Sequence, residues 1–271
     1  QDIGTAHGHR LQDTATFTSS ILRRCHGLEE EPFTLAIAGY GTGKSHLSLA
    51  MANLFQQPGG ELAETLLARI NEADSGIGAE VRAIVKEDPR PFLTVAFNGM
   101  QNFDLTAELT RQILIQARTH DLDTRALDDL RPRFRQAATL VSLASDEMSG
   151  NLIEACGVDS VNQIVEGLNE QDEGIYAKVQ KIFEAEGIPI RAFGGESVKD
   201  VIDVAVSEYC GEGKPFAGMV ILFDEFGRYT EFATIRSQIA GSGVLQDLFE
   251  GVQGNSGYVT FVGFIQFELN I

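Results

Sequence analysis

The sequence lacks any apolar run long enough to cross a bilayer. Its longest, "FAGMVILF" at 216–223, falls far short of the roughly 20 residues a spanning helix needs, and no signal-peptide pattern opens the chain. Positive charge is scarce: 21 Lys and Arg stand against 39 Asp and Glu, a net charge of −18. An acidic surface repels DNA phosphates and anionic membranes, which excludes the domain as a whole from non-specific DNA binding. Nucleic-acid contact would have to come from a local basic patch or another domain. Cysteine is sparse too. Cys25, Cys156 and Cys210 are far apart and form no CxxC pair, which argues against a disulfide scaffold or zinc ribbon and for reduced thiols. The expected setting is cytoplasmic and soluble, with no membrane partner. No internal repeat or low-complexity tract is visible.

The 271 residues, 43% apolar and 22% charged, suit one large α/β domain or a core domain carrying an insertion. The chain opens on Gln1 and stops at Ile271 just after an apolar run, so it reads as a fragment, or the ordered part, of a longer polypeptide. Residues 11–28 have apolar positions at helical spacing. "FTLAIAG" (33–39) reads as a buried strand and "KSHLSLAMANLFQ" (44–56) as a helix packed on a sheet, with Leu47, Leu49, Ala50, Met51, Leu54 and Phe55 as its apolar positions. Residues 61–87 read as helix with a break at "DSGIG", 90–99 as a second strand, and 104–118 as a second amphipathic helix. From about 120 to 210 almost no strand signal appears, only successive helices. "FAGMVILFDEFG" (216–227) and "YVTFVGFIQFEL" (258–269) complete four strands. Strands alternating with helices predict a parallel, doubly wound sheet. The expected organisation is an N-terminal helical segment at 1–30, an α/β core at 31–119 and 214–271, and a helical insertion at 120–213.

The chemistry concentrates in "LAIAGYGTGKSHLSLA" (35–50). Strand, GxxxxGK[ST], helix is the pattern of a phosphate-binding loop. Here the eight residues are Ala38, Gly39, Tyr40, Gly41, Thr42, Gly43, Lys44 and Ser45, with Ala38 departing from the first glycine. The glycines let backbone N–H groups turn inward around an anion, and the helix start adds its positive dipole end. Lys44 can reach β- and γ-phosphates, and the Ser45 hydroxyl can hold Mg²⁺. The plain alternative is a tight strand-to-helix turn bearing a surface lysine. His46 follows the serine and joins the nucleotide-binding candidates, with helix packing or solvent contact as its ordinary role.

A second signal is "MVILFDE", an apolar strand ending in Asp224 and Glu225. A carboxylate at a strand's C-terminal end beside the loop can support Mg²⁺, usually through water. The adjacent glutamate can polarise a water for attack on the γ-phosphate. The ordinary alternative is a charged strand end. The expectation is that the two segments meet on adjacent strands and grip a metal-bound triphosphate.

Residues 33–56 and 216–227 resemble the Walker A and Walker B segments of P-loop ATPases. The Asp224–Glu225 pair is similar to the branch with an extra catalytic glutamate, which includes AAA+ and STAND proteins. The resemblance implies ATP and Mg²⁺ as cofactors and ATP hydrolysis as the activity, in a parallel sheet sandwiched by helices. It also implies a strand between the first and Walker B strands that carries a polar sensor. "TFVGFIQ" (260–266) fits, with Gln266 as the sensor candidate beside catalytic Glu225 and Lys44. Nothing resembles the guanine-reading NKxD motif. Arg228 and Arg236 are the candidates for the arginine such ATPases bring near the γ-phosphate. "GYGTGKSHL" and "ILFDEFGRY" further resemble large bacterial ATPases of BREX-type anti-phage defence. That implies a multidomain engine or switch working with other domains or subunits, including nuclease or DNA-modifying partners. A slowly hydrolysing assembly switch, the engine of a DNA-translocating or DNA-cleaving machine, and a small-molecule kinase remain alternatives.

Other features weigh less. "GEGKP" (211–215) imitates the loop but has Pro215 at the Ser/Thr position and no strand before it, so it reads as a linker. His7 and His9 have no third ligand nearby and do not make a metal site. Asn98 ends the second strand, where it can touch nucleotide or water or simply form a turn. "RPRFR" (131–135) is the one basic cluster, and the acids before it (Asp121, Asp123, Asp128, Asp129) suggest local charge compensation.

Overall fold

The computed structural model describes residues 12–39, 41–188, 190 and 196–266. The chain divides into two compact units. One comprises residues 1–101, 209–231 and 252–271, and the other 102–208 and 232–251. The sequence reading put the helical insertion at 120–213. The compact helical unit begins earlier, at Asn102, and also takes in Phe232–Gly251.

In chain order the elements run α1 (Thr14–Cys25), β1 (Phe33–Ala38), α2 (Lys44–Gln56), α3 (Glu61–Ala73), α4 (Ser75–Glu87) and β2 (Leu93–Asn98). Then come α5 (Leu105–Thr119), α6 (Arg125–Leu130), α7 (Pro132–Ser142), α8 (Asp146–Cys156), α9 (Val161–Asn169), α10 (Glu173–Ala185) and α11 (Val198–Tyr209). The chain closes with β3 (Met219–Asp224), α12 (Phe226–Ile235), α13 (Ser237–Ala240), α14 (Val244–Gly254) and β4 (Val259–Gln266). Asp13 caps α1, its side chain accepting the Thr16 N–H, and Asp74 caps α4 at the expected break, accepting from Gly76 and Ile77. The fold is α/β. Its four strands form one sheet in the order β1-β4-β3-β2, every neighbouring pair parallel.

One sheet face is covered by α1 to α4. Ile21 and Leu22 of α1, Met51, Leu54 and Phe55 of α2, Leu67 of α3 and Val81 of α4 pack with Val220, Leu222, Val262 and Phe264 of the sheet. Fully burying such side chains contributes about 1.5–3 kcal/mol each, so this layer is the main source of the unit's stability. Leu49 departs from the expected set. It lies two residues, or about 200°, around α2 from Met51, and is 69% exposed. β1 is likewise not the buried strand its composition suggests. It sits at the sheet margin, where Leu35 and Ile37 are exposed. An apolar run specifies a strand but not its rank in the sheet, and among the described residues no strand pairs with the outer edge of β1.

The helical unit has its own core, in which Phe134, Val141, Leu152, Ile164, Leu168, Val179 and Phe183 bring α7 to α10 together. Beside it Arg131, fully buried, donates to Glu196 (2.5 Å), Glu173 and Gln171, while Arg133 pairs with the same two glutamates. The basic cluster is thus balanced mainly by acids 40 to 65 positions later, and only Arg135 pairs with one of the preceding acids, Asp129. Sequence proximity misled here because helix packing, not chain distance, selects ion-pair partners.

The three cysteines are unpaired and buried. Burial raises the thiol pKa of each, to about 12 for Cys25 and Cys210. The thiolate is the reactive form. In native protein at pH 8, a disulfide-exchange reagent is therefore expected to label none of the three within minutes, and all three once denaturant is added. Rapid native labelling would contradict this packing.

Candidate functional site

A parallel sheet brings the carboxyl ends of all its strands to one edge, where α/β proteins place their ligands. At that edge Ala38 of β1 lies opposite Gln266 of β4, Gly263 of β4 lies opposite Phe223 of β3, and Asn98 of β2 lies opposite Asp224 of β3. The glycine loop, Gln266, Asp224, Glu225 and Asn98 therefore gather at one margin. The loop and the acidic pair are not on adjacent strands, as expected from their chemistry alone. β4 lies between β1 and β3, which corrects that expectation. Two strand spacings of about 4.8 Å separate the two strand ends by about 10 Å.

The glycine loop lies between β1, which ends at Ala38, and α2, which starts at Lys44. Gly41 (φ +72°) and Gly43 (φ +86°) both take left-handed backbone conformations, which side chains other than glycine adopt only with strain. Gly43 is the residue immediately before α2, so its left-handed conformation falls at the helix start. The Thr42 hydroxyl donates to the Gly39 carbonyl at 2.9 Å and closes the loop on itself. Lys44 folds inward, donating to the carbonyls of Ala38 (3.0 Å) and Gly39 (2.8 Å). Ser45 and His46 are exposed on the first turn of α2. Tyr40 lies outside the described residues, as do His7 and His9.

On the other side of β4, Asp224 is half-buried and its Oδ1 accepts the Glu225 N–H at 3.0 Å. Glu225 has φ +52°. The other described non-glycine residues with positive φ, Asp121 and Gln171, belong to the helical unit. For a glutamate this conformation costs on the order of 1–2 kcal/mol. Arg228 reaches Glu225 at 3.9 Å from one turn on, and is itself 55% exposed, so the pair contributes little. Arg236, the other arginine candidate, belongs to the helical unit. Asn98 behaves as a turn former, its Oδ1 accepting the Met100 N–H at 3.0 Å. "GEGKP" is a linker turn before β3. The Gly211 N–H donates to Phe216, and Arg90 donates to the carbonyls of Gly211 and Lys214.

Among the described residues no group of three or more His, Cys, Asp or Glu is arranged to hold a metal ion, and no helix is long and apolar enough to cross a membrane. A groove of about 1730 Å³ runs from Gly39, Thr42, Gly43 and Lys44 along β1, between α1 and the pair α2 and α3. It exceeds the roughly 300–1,000 Å³ of a small-molecule pocket and does not include Asp224 or Glu225. It is an open trough, not an enclosed ligand site. No protein-family model matches the chain, and neither a curated protein nor a solved structure matches it significantly.

Sequence reasoning missed Gly99. Its N–H donates to the Asp224 carbonyl at 2.8 Å, and a Cβ there would meet the Glu225 carbonyl oxygen at 2.2 Å. The signal was available in principle, as a glycine directly after a strand often marks a close backbone approach.

The strain at Glu225 has a measurable consequence. Replacing it with glycine, for which φ +52° is unstrained, is expected to raise unfolding stability by about 1 kcal/mol, read as a higher denaturant midpoint with unchanged slope. A lower midpoint would show that the side chain contributes more to folding than its backbone conformation subtracts.

Proposed function

We propose that this chain is a Mg²⁺-dependent P-loop ATPase domain that binds and hydrolyses ATP. The observation that supports this best is the convergence, at the carboxyl edge of one parallel sheet, of a double left-handed glycine loop with its inward lysine and an Asp-Glu strand end across β4. On this reading residues Gly39 to Ser45 hold the phosphates, with backbone N–H groups and the start of α2 supplying positive potential. Lys44 exchanges its carbonyl partners for phosphate oxygens, which bind an ammonium more strongly because they are charged.

The donor set fits Mg²⁺. That ion takes hard oxygens and relies on one or two protein groups, with substrate phosphates and water completing its shell. The Ser45 hydroxyl and the Asp224 carboxylate are such groups, and no multi-carboxylate cage is required. When bound, the ion would supply neutralisation of the triphosphate's charge. Glu225 would orient and polarise the attacking water as general base, with Gln266 as the polar sensor and His46 beside the loop. The ATPase would serve as engine or switch within a larger multidomain assembly, and the resemblance of "GYGTGKSHL" and "ILFDEFGRY" to BREX-type ATPases makes anti-phage defence one proposed setting.

Glu225→Gln is expected to leave ATP affinity unchanged and to lower turnover about 10²–10⁴-fold, measured by phosphate release alongside binding of a fluorescent nucleotide. Lys44→Ala should instead weaken binding about 10- to 100-fold, since hydrogen bonds to charged groups contribute about 1.5–3 kcal/mol. Turnover at the wild-type rate in Glu225→Gln would sink the catalytic assignment, and undiminished affinity in Lys44→Ala would sink the phosphate cradle.

A further inference from the structure

The backbone at Glu225 is held from two sides by contacts that the proposed chemistry does not itself require. On the β2 side Gly99 lies against it. Its N–H donates to the Asp224 carbonyl at 2.8 Å, and a Cβ at this position would sit 2.2 Å from the Glu225 oxygen, 2.9 Å from its carbonyl carbon and 3.1 Å from the Tyr229 Cβ. Contacts below 3.0 Å with backbone cannot be relieved by rotating a side chain. The Glu225 carbonyl is also the acceptor that starts α12, taking N–H bonds from Arg228 (3.0 Å) and Tyr229 (3.2 Å). Displacing it therefore shifts Glu225 and the first turn of α12 together.

On the β4 side Phe226 anchors the same turn. Its ring lies 5.1 Å from the rings of Phe223 and Phe261, and it occupies space left by Gly263, where a Cβ would come within 3.1 Å of it. Tyr229 is fully buried with its ring 4.9 Å from that of Phe223. These contacts over-determine a left-handed glutamate that would otherwise relax to an extended or helical conformation.

We infer that Gly99, with Phe226 opposite, is a positioning residue: it fixes the direction of the Glu225 carboxylate by admitting the backbone of Glu225 into direct contact with the end of β2. The inference rests on the ATPase reading and adds to it a residue that touches neither nucleotide nor metal. Its signature is kinetic. A carboxylate misdirected by about 1 Å loses turnover, whereas the phosphate loop across β4 keeps its affinity.

The test compares steady-state ATP hydrolysis and fluorescent-nucleotide binding in wild type, Gly99→Ala, Glu225→Gln and the double variant, each at saturating Mg²⁺. Gly99→Ala is expected to lower kcat roughly 10²-fold with KM and nucleotide affinity within about twofold of wild type. The double variant should be no slower than Glu225→Gln alone, because the glycine acts only through the glutamate. Additive losses, or an equal fall in affinity, would make Gly99 a general structural residue and overturn the inference, as would an unchanged kcat. Should Gly99→Ala fail to fold, Phe226→Leu loosens the same turn from the β4 side and must show the same kcat-specific loss, with a wild-type rate again overturning it. The underlying reading is judged separately. If wild type has no turnover, or Glu225→Gln retains it, the ATPase assignment falls without any arm involving Gly99, and the positioning role falls with it.

Discussion

Parallel pairing is the constraint on which the rest of the sheet unit depends. In an antiparallel sheet successive strands would send their loops to opposite edges, and the glycine loop and the Asp-Glu strand end could face away from each other. Here every ladder runs the same way, so each strand delivers its C-terminal residue to one margin. The requirement propagates backward into composition. A parallel strand needs a crossover, usually helical, before the chain can re-enter the sheet, and helices stacked on the sheet demand apolar strands. β3 and β4 meet that demand with almost wholly buried side chains.

Local backbone chemistry then decides what stands at that margin. Among the described residues, glycine occupies two left-handed positions of the loop, Gly41 and Gly43, where its freedom carries no strain. A glutamate, Glu225, takes a left-handed conformation at the same margin, where it does. A fold selected for stability alone would place glycine or asparagine there. Aromatic burial on one side and a close-approach glycine on the other hold the turn from β3 into α12 in that conformation. Strain over-determined by its surroundings is found preferentially where a side chain must point in one direction.

Much of this was readable in the sequence, and what was not has a common cause. The elements carrying local signals came through closely: the glycine loop, α2 from Lys44 to Gln56, the break at Asp74 and four apolar strands near their observed limits. Lateral strand order is a long-range property. Chemistry alone suggested that the loop strand and the Asp-Glu strand were neighbours, and only the resemblance to ATPases pointed to a strand between them. The exposed face of β1 and the distant glutamates that balance Arg131 and Arg133 escaped for the same reason. So did the return of Phe232–Gly251 to the helical unit. Apolar periodicity reports what a segment buries, not what it is buried against. Gly99 escaped differently, since a single glycine after a strand is ambiguous until its neighbour is known.

The strong negative charge opposes long-range attraction of a polyanion, and length scale reconciles it with the proposed nucleotide role. At physiological salt, fields of exposed charges decay over about 8 Å, so a net charge of −18 spread over the surface governs long-range encounters but little inside a loop. A bound phosphate would instead meet backbone N–H groups, the positive end of α2 and the Lys44 ammonium at hydrogen-bond distance, where a few oriented dipoles outweigh remote carboxylates. A DNA duplex cannot use this exception. Its phosphates are spread along a rod and must contact a wide surface, whereas a nucleotide's phosphates are compact enough to fit within one loop. The charge distribution that disfavours the rod is therefore compatible with the compact triphosphate of the proposed function, held at short range by the loop.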